Sequence, residues 1–270
     1  MTFRLYFPTH KMIAALISRK GGVGKTTTAV NLSAALAAQG RRVLLVDLDS
    51  QASASLSLGV AREALPPSSA DLLLGGAPAR EVIRPTSVDG LDLITASSDL
   101  ARADLDLAPF RSREIRLRSA LAQVAESYDF VLLDCPPSLS LVQINALVAA
   151  QVFIVPVVPQ FLAAAGVRNL IDSAQRLSWN GSRPARPLGV LLTMVDYRNK
   201  ETRRTVDQLR GEHGSLVFAI EVRINTRLAE APATGRTIFQ YDPGATGAEA
   251  YRLLADEFLL RCGNGKPEPA

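Results

Sequence analysis

Eight consecutive residues carry the densest chemical signal in the chain: Lys20-Gly21-Gly22-Val23-Gly24-Lys25-Thr26-Thr27. They lie between an apolar run at 13–18 and a helical pattern that begins near Thr26. Glycines at 21, 22 and 24 permit backbone conformations and close approaches that a side chain would block. Successive N–H groups of such a turn, with the N-terminus of the following helix, form a concavity suited to a phosphate. Lys25 would reach the β- and γ-phosphates of a nucleotide, and the Thr26 hydroxyl would ligate Mg²⁺. Two more carboxylate sites stand at the ends of apolar runs. Val43-Leu44-Leu45-Val46 leads into Asp47-Leu48-Asp49. On an extended chain Asp47 and Asp49 point the same way, so either both face the phosphates or one caps the next turn. Phe130-Val131-Leu132-Leu133 leads into Asp134, where a carboxylate suits a Mg²⁺ ligand, directly or through water.

Strands that end together must bring these groups to one place. Apolar runs at 12–18, 42–47, 91–95, 130–134, 152–157, 187–195 and 216–220 predict strands. Several are continuous Val/Ile/Leu runs without polar alternation, as strands buried on both faces of a parallel sheet require. Helical patterns alternate with them at 26–39, 112–127, 139–150, 163–178, 202–212 and about 246–261, and Gly40 suits the end of the first. The alternation predicts a single α/β domain, a mostly parallel twisted sheet with helices on both faces. Its expected span is 12–262, after a short extension at 1–11 and before a frayed polar tail at 263–270. Ligands of such folds bind at the C-terminal edge of the sheet.

Composition excludes several classes. The 270 residues are 47% hydrophobic and 21% charged, an ordinary globular balance without wholesale disorder. No apolar run approaches the roughly 20 residues that cross a bilayer. The start lacks the apolar core and cleavage site of a signal peptide. Cys135 and Cys262 are the only cysteines and His10 and His213 the only histidines, too few for a disulfide framework and wrongly spaced for zinc. A reducing cytoplasm is the expected compartment. Cys135 is expected to be a small buried hydrophobe and Cys262 an incidental tail thiol.

One departure from the common phosphate-loop pattern is informative: Arg19 then Lys20 stand where a glycine is usual at 19. Residues 20–27 resemble the deviant Walker A motif of the ParA/MinD superfamily of P-loop NTPases. The resemblance implies that Lys20 reaches across a nucleotide-sandwich homodimer to the partner's phosphates. It implies that Asp49 orients the attacking water and that Asp47 supports the magnesium shell. Within the superfamily the chain is similar to the ParA/Soj partition ATPases from about residue 12 to 260. The matching segments include Ile144-Asn145-Ala146-Leu147, Val155-Pro156-Val157, Thr193-Met194-Val195-Asp196 and Asn225-Thr226-Arg227-Leu228-Ala229-Glu230-Ala231-Pro232. Ser50 departs from the usual proline of Asp47-Leu48-Asp49-Ser50-Gln51. Thr193-Met194 lies where the family grips the base, which makes Met194 a candidate adenine contact.

The expected cofactors are therefore ATP or ADP and Mg²⁺, and the expected activity is slow, partner-stimulated ATP hydrolysis. The expected partners are a second copy, non-specific double-stranded DNA, and a ParB-like or cargo-bound activator on the nucleoid. Residues 183–236 carry ten Arg/Lys against six Asp/Glu, and contacts from such a surface to phosphates read no sequence. Arg198 and Arg227 match family positions implicated in DNA contact, and Lys200, Arg203, Arg204 and Arg236 are candidates from the basic cluster. On a helix such as 202–212 the same cations could equally be a solvated face. A membrane-associated relative of the MinD kind would need a basic amphipathic C-terminal helix. Residues 249–260 carry Glu249, Asp256 and Glu257 and read as domain core, so no stable membrane association is expected. A metabolic ATP-dependent enzyme of the same fold is the other alternative, and no substrate pocket for one is legible.

Overall fold

The computed structural model describes residues 11–177 and 184–263. Expectations for residues 1–10 and 264–270, for Arg183 and for the end of the 163–178 helix lie outside the described residues.

Eight strands form one sheet: β1 (Met12–Leu16), β2 (Val43–Asp47), β3 (Ile83–Pro85), β4 (Leu91–Ile94), β5 (Phe130–Asp134), β6 (Val152–Val157), β7 (Arg186–Val195) and β8 (Val222–Arg223). Their order is β3-β4-β2-β5-β1-β6-β7-β8. Every pairing is parallel except the edge pair β3–β4. Alternate residues of each central strand enter opposite cores. Ile13, Ala15, Leu44, Val46, Val131 and Leu133 pack on one side; Ala14, Leu16, Val43, Leu45, Phe130 and Leu132 pack on the other. Double-sided burial is why these strands read as unbroken apolar runs.

The helix α1 (Lys25–Ala38) covers the second side together with the C-terminal helix Thr246–Gly263. Gln39 caps α1, and Gly40 follows at φ +79°, so the glycine sits where the helix stops. The helix Thr246–Gly263 turns Tyr251, Leu254, Ala255, Phe258 and Cys262 into the core. Cys262 is thus a packed core residue, 5% exposed, rather than a tail thiol. Cys135 is fully buried, and burial pushes its thiol well above the ordinary range.

Two further expectations needed revision, and one strand was not anticipated. The short strand β3 has no strong pattern of its own and joins the sheet only as an antiparallel edge. Residues 112–127 do not form one helix. Ser112 adopts φ +57°, and the segment breaks into Arg113–Ile115, Arg116–Leu121 and Ala125–Ser127. Residues 216–220 are reduced to an isolated parallel bridge, Val217 opposite Val190 of β7, with Phe218 N donating to the Val190 carbonyl at 2.9 Å. The amides of Ala219 and Ile220 donate to the Glu257 carboxylate at 2.9 and 3.1 Å instead of to a neighbouring strand. The Phe218 ring occupies the space that a side chain at Gly189 on β7 would need, within 2.3 Å of its Cβ. Beyond that bridge, pairing with β7 resumes at β8.

Candidate nucleotide-binding site

β1 is flanked by β5 and β6, and the chain moves from it toward one edge through β2 and toward the other through β6. Such a reversal opens a crevice at the C-terminal end of the sheet. The glycine turn leaves β1 at this point. Gly22 and Gly24 adopt φ +71° and +77°, a region that costs glycine little and other residues strain. Gly21 does not share that conformation, and an added Cβ would meet nothing within 4 Å, so neither backbone nor packing demands glycine there. Gly24 caps α1, whose first N–H groups face out of the helix N-terminus.

A cavity of about 370 Å³ is lined by the whole segment from Lys20 to Thr27. Asp49, Gln51, Ser53, Ser57, Pro137, Met194 and Pro232 complete it. Its floor holds a buried ion pair. Lys25 Nζ donates to Asp134 Oδ1 at 3.0 Å, with the lysine 7% and the aspartate 0% exposed. Burial alone would lower the Lys25 pKa, but the charge and hydrogen bond of Asp134 outweigh it and hold the ammonium above its usual value. Burial pushes the Asp134 carboxyl up, against the pull of Lys25 and Thr26. Asp134 Oδ2 is buried and lacks a hydrogen-bond partner among the described residues.

Of the two arrangements left open for Asp47 and Asp49, the chain takes the one in which a single carboxylate faces the cavity and the other is engaged by the following turn. Asp49 is half-buried and lines the cavity, and its Oδ1 also accepts from Gln51 N at 3.0 Å. Asp47 pairs with Asp134 in the β2–β5 register and is wholly buried. Its Oδ2 accepts from Ser55 N and Oγ at 2.9 and 2.7 Å, and its Oδ1 accepts from Asp49 N at 3.2 Å. Both oxygens are thus engaged within the chain, and Asp47 braces the turn and the short helix α2 (Ser53–Ser57). Burial, then the neighbouring Asp134 charge, pushes its pKa up to about 7 despite those hydrogen bonds.

Lys20 is exposed, and its ammonium donates to Gln160 Oε1 at 2.7 Å. Met194 is 42% exposed at the cavity wall with φ +49°, an unusual conformation for a side-chain-bearing residue. Arg198 and Arg203 meet Arg223 around an open depression of about 700 Å³ with Asp196 and Thr226. Lys200, Arg204 and Arg236 are exposed elsewhere on this region. Arg198 is engaged by Asp196 at 2.7 Å, and hydrogen bonds from Arg198 hold that carboxyl down to about 2. Arg227 is paired with Glu230 at 2.9 Å and with Asp242 at 3.5 Å. Sequence reasoning missed Gln160, Ser55 and the cavity wall at Gln51, Ser53, Ser57 and Pro232. Gln51 and Pro232 stand in the segments that match the family, which was the available signal; Gln160 reaches Lys20 across 140 residues, a contact that no local pattern marks.

A glycine loop between strand and helix, with its lysine on an aspartate at the end of a neighbouring strand, defines a P-loop nucleotide-binding domain of the α/β class. The family model described as an AAA domain matches residues 10–182. The sporulation initiation inhibitor protein Soj of Bacillus subtilis (strain 168) is 40% identical over 245 residues, 91% of this chain and 97% of that protein. The chromosome-partitioning ATPase Soj of Thermus thermophilus is 44% identical over 247 residues, 92% of this chain and 95% of that protein. Cobyrinic acid a,c-diamide synthase from Mycobacterium smegmatis, solved with a bound ATP analog and magnesium, superimposes with a TM-score of 0.79. It is 34% identical, and the match covers 96% of this chain and 98% of that one. The chain belongs to the Soj/ParA family of chromosome-partitioning ATPases.

Proposed function

We propose that this chain is an ATPase that dimerises around ATP, binds DNA without sequence preference, and segregates or positions a cargo on the nucleoid. The observation that carries the reading is the Lys25–Asp134 pair beneath the glycine loop, with Asp134 Oδ2 left unpartnered. A buried acceptor without a donor is costly, and a cation or its hydration water would satisfy it. The residues therefore fit Mg²⁺ and a nucleotide. Thr26 and Asp134 would hold the ion, with Asp47 supporting Asp134 and α2 from behind. Bound magnesium supplies charge neutralisation on the phosphates. Lys25 and the N–H groups of residues 21–27 grip the phosphates, and Asp49 holds the attacking water.

Lys20 serves the partner's nucleotide across the dimer, which requires it to leave Gln160. Dimerisation brings two sets of basic residues, Arg198, Lys200, Arg203, Arg204, Arg227 and Arg236, onto one duplex and multiplies their affinity. Hydrolysis, stimulated by a ParB-like or cargo-bound activator, ends that state. Light scattering on the chain with ADP–Mg²⁺ and with ATP–Mg²⁺ tests the clamp. Twice the chain mass with the triphosphate alone is expected, and a monomer in both states would overturn it.

A second reading has one observation in its favour: the Mycobacterium smegmatis structure, a diamide synthase by description, is 34% identical over nearly the whole chain. Under it the chain would use ATP to form an amide on a small acid. Phosphate release that depends on such an acid and is indifferent to DNA would select that reading.

A further inference from the structure

Two peptide groups flank Gly24, and each carbonyl is held by a threonine hydroxyl. Thr28 Oγ1 donates to the Gly24 carbonyl at 2.7 Å and meets the Tyr251 hydroxyl at 3.2 Å. Thr193 Oγ1 donates to the Val23 carbonyl at 2.8 Å, and Thr193 and Val23 are 2% and 4% exposed. The second contact joins parts of the chain 170 residues apart. Thr193 sits where the β7–β8 ladder slips, between Thr193 and Val195, and Met194 takes its positive φ inside that slip. The backbone calls for glycine at 24, at φ +77°, while the space does not: a Cβ there would lie at ordinary contact distance, 3.6 Å, from the Thr193 side chain.

A trans peptide carries its C=O and N–H on opposite sides. With the Val23 carbonyl turned to Thr193, the Gly24 N–H points the other way, and Gly24 itself lines the nucleotide cavity. We infer that Thr193 is a positioning residue of the phosphate cradle. Its hydroxyl locks the Val23–Gly24 peptide in the orientation that presents the Gly24 N–H to a nucleotide phosphate. The inference rests on the nucleotide reading of the cavity and adds a residue that does not itself touch the ligand. It also joins the two ends of the site. Met194 stands in the cavity wall one residue from Thr193, so a base resting on Met194 bears on the same bulge that fixes the phosphate loop.

Thr193→Val keeps the side-chain shape, removes the hydroxyl and leaves the Val23 carbonyl buried without a donor. Affinity is read for two probes with Mg²⁺: ADP, and inorganic tripolyphosphate, which has no base. The expected result is an equal loss for both probes, about tenfold, the scale set by one buried acceptor left unpaired. Thr193→Ser should restore both affinities, which a packing role of the methyl group would not allow. Unchanged affinity in Thr193→Val, equal losses in the Ser and Val variants, or a loss for ADP alone would each overturn the inference. A wild-type chain that binds neither probe would instead overturn the nucleotide reading beneath it. If Thr193→Val fails to fold, Thr193→Ser still decides, since a hydroxyl-based role requires it to bind as the wild type does.

Discussion

The buried pair at the floor of the site gives the sharpest quantitative expectation. Asp134→Asn keeps the shape of the side chain but removes the counter-charge of Lys25, which is only 7% exposed. Removing one member of a buried pair typically costs about 3–5 kcal/mol, because the remaining charge is left uncompensated. Lys25 also lines an open cavity, so its ammonium can turn toward water and the loss should fall near the lower figure, about 3 kcal/mol. For a chain of this size that corresponds to a fall in Tm of roughly 6–12 °C. Lys25→Met alone strands the carboxyl of Asp134, whose pKa burial has already raised, so its cost should grow as pH rises. The double variant Lys25→Met/Asp134→Asn removes both charges and should recover most of either loss. Urea unfolding of the ligand-free protein, followed by circular dichroism, measures all four corners of this cycle. A coupling of about 2 kcal/mol or more is expected for groups in direct contact. Two single losses below about 1 kcal/mol that simply add would refute the claim that the pair is a buried, mutually dependent unit.

Three other perturbations probe separate roles. Asp49→Ala should still bind ATP–Mg²⁺ but remain locked on DNA, and rapid ATP turnover by this variant would remove Asp49 from water positioning. Lys20→Ala should bind nucleotide as a monomer and fail to hold DNA with ATP; wild-type DNA binding would end the cross-dimer role. Asp47 has a raised folded pKa, so the stability it confers is complete below about pH 4 and is lost as pH rises through about 7. The melting temperature of the ligand-free protein should fall across that window, and Asp47→Asn should flatten the slope; an unchanged slope would show that another group sets it.

The parallel core of the fold was legible because double-sided burial leaves unbroken apolar runs at β1, β2, β5 and β6. The phosphate loop was legible for a local reason: glycines at the positive-φ positions 22 and 24 directly precede Lys25 and Thr26. Where a side chain far along the sequence decides the outcome, the pattern failed. Glu257 takes the amides of Ala219 and Ile220, and the expected strand at 216–220 shrinks to a single bridge at Val217. Ser55 takes the Asp47 carboxylate, which decides between the two arrangements that period-two alternation left open and leaves Asp49 alone facing the cavity. Thr193 reaches Val23 across 170 residues, a contact that no local spacing encodes.

Binding of the wild-type chain to random-sequence duplex DNA, with no nucleotide, with ADP–Mg²⁺ and with ATP–Mg²⁺, at one low and one physiological salt concentration, tests the central claim most directly. Binding that arises only with ATP–Mg²⁺ and weakens steeply with salt is the predicted result. Absence of DNA binding in every nucleotide state, or equal binding in all of them, would contradict the account.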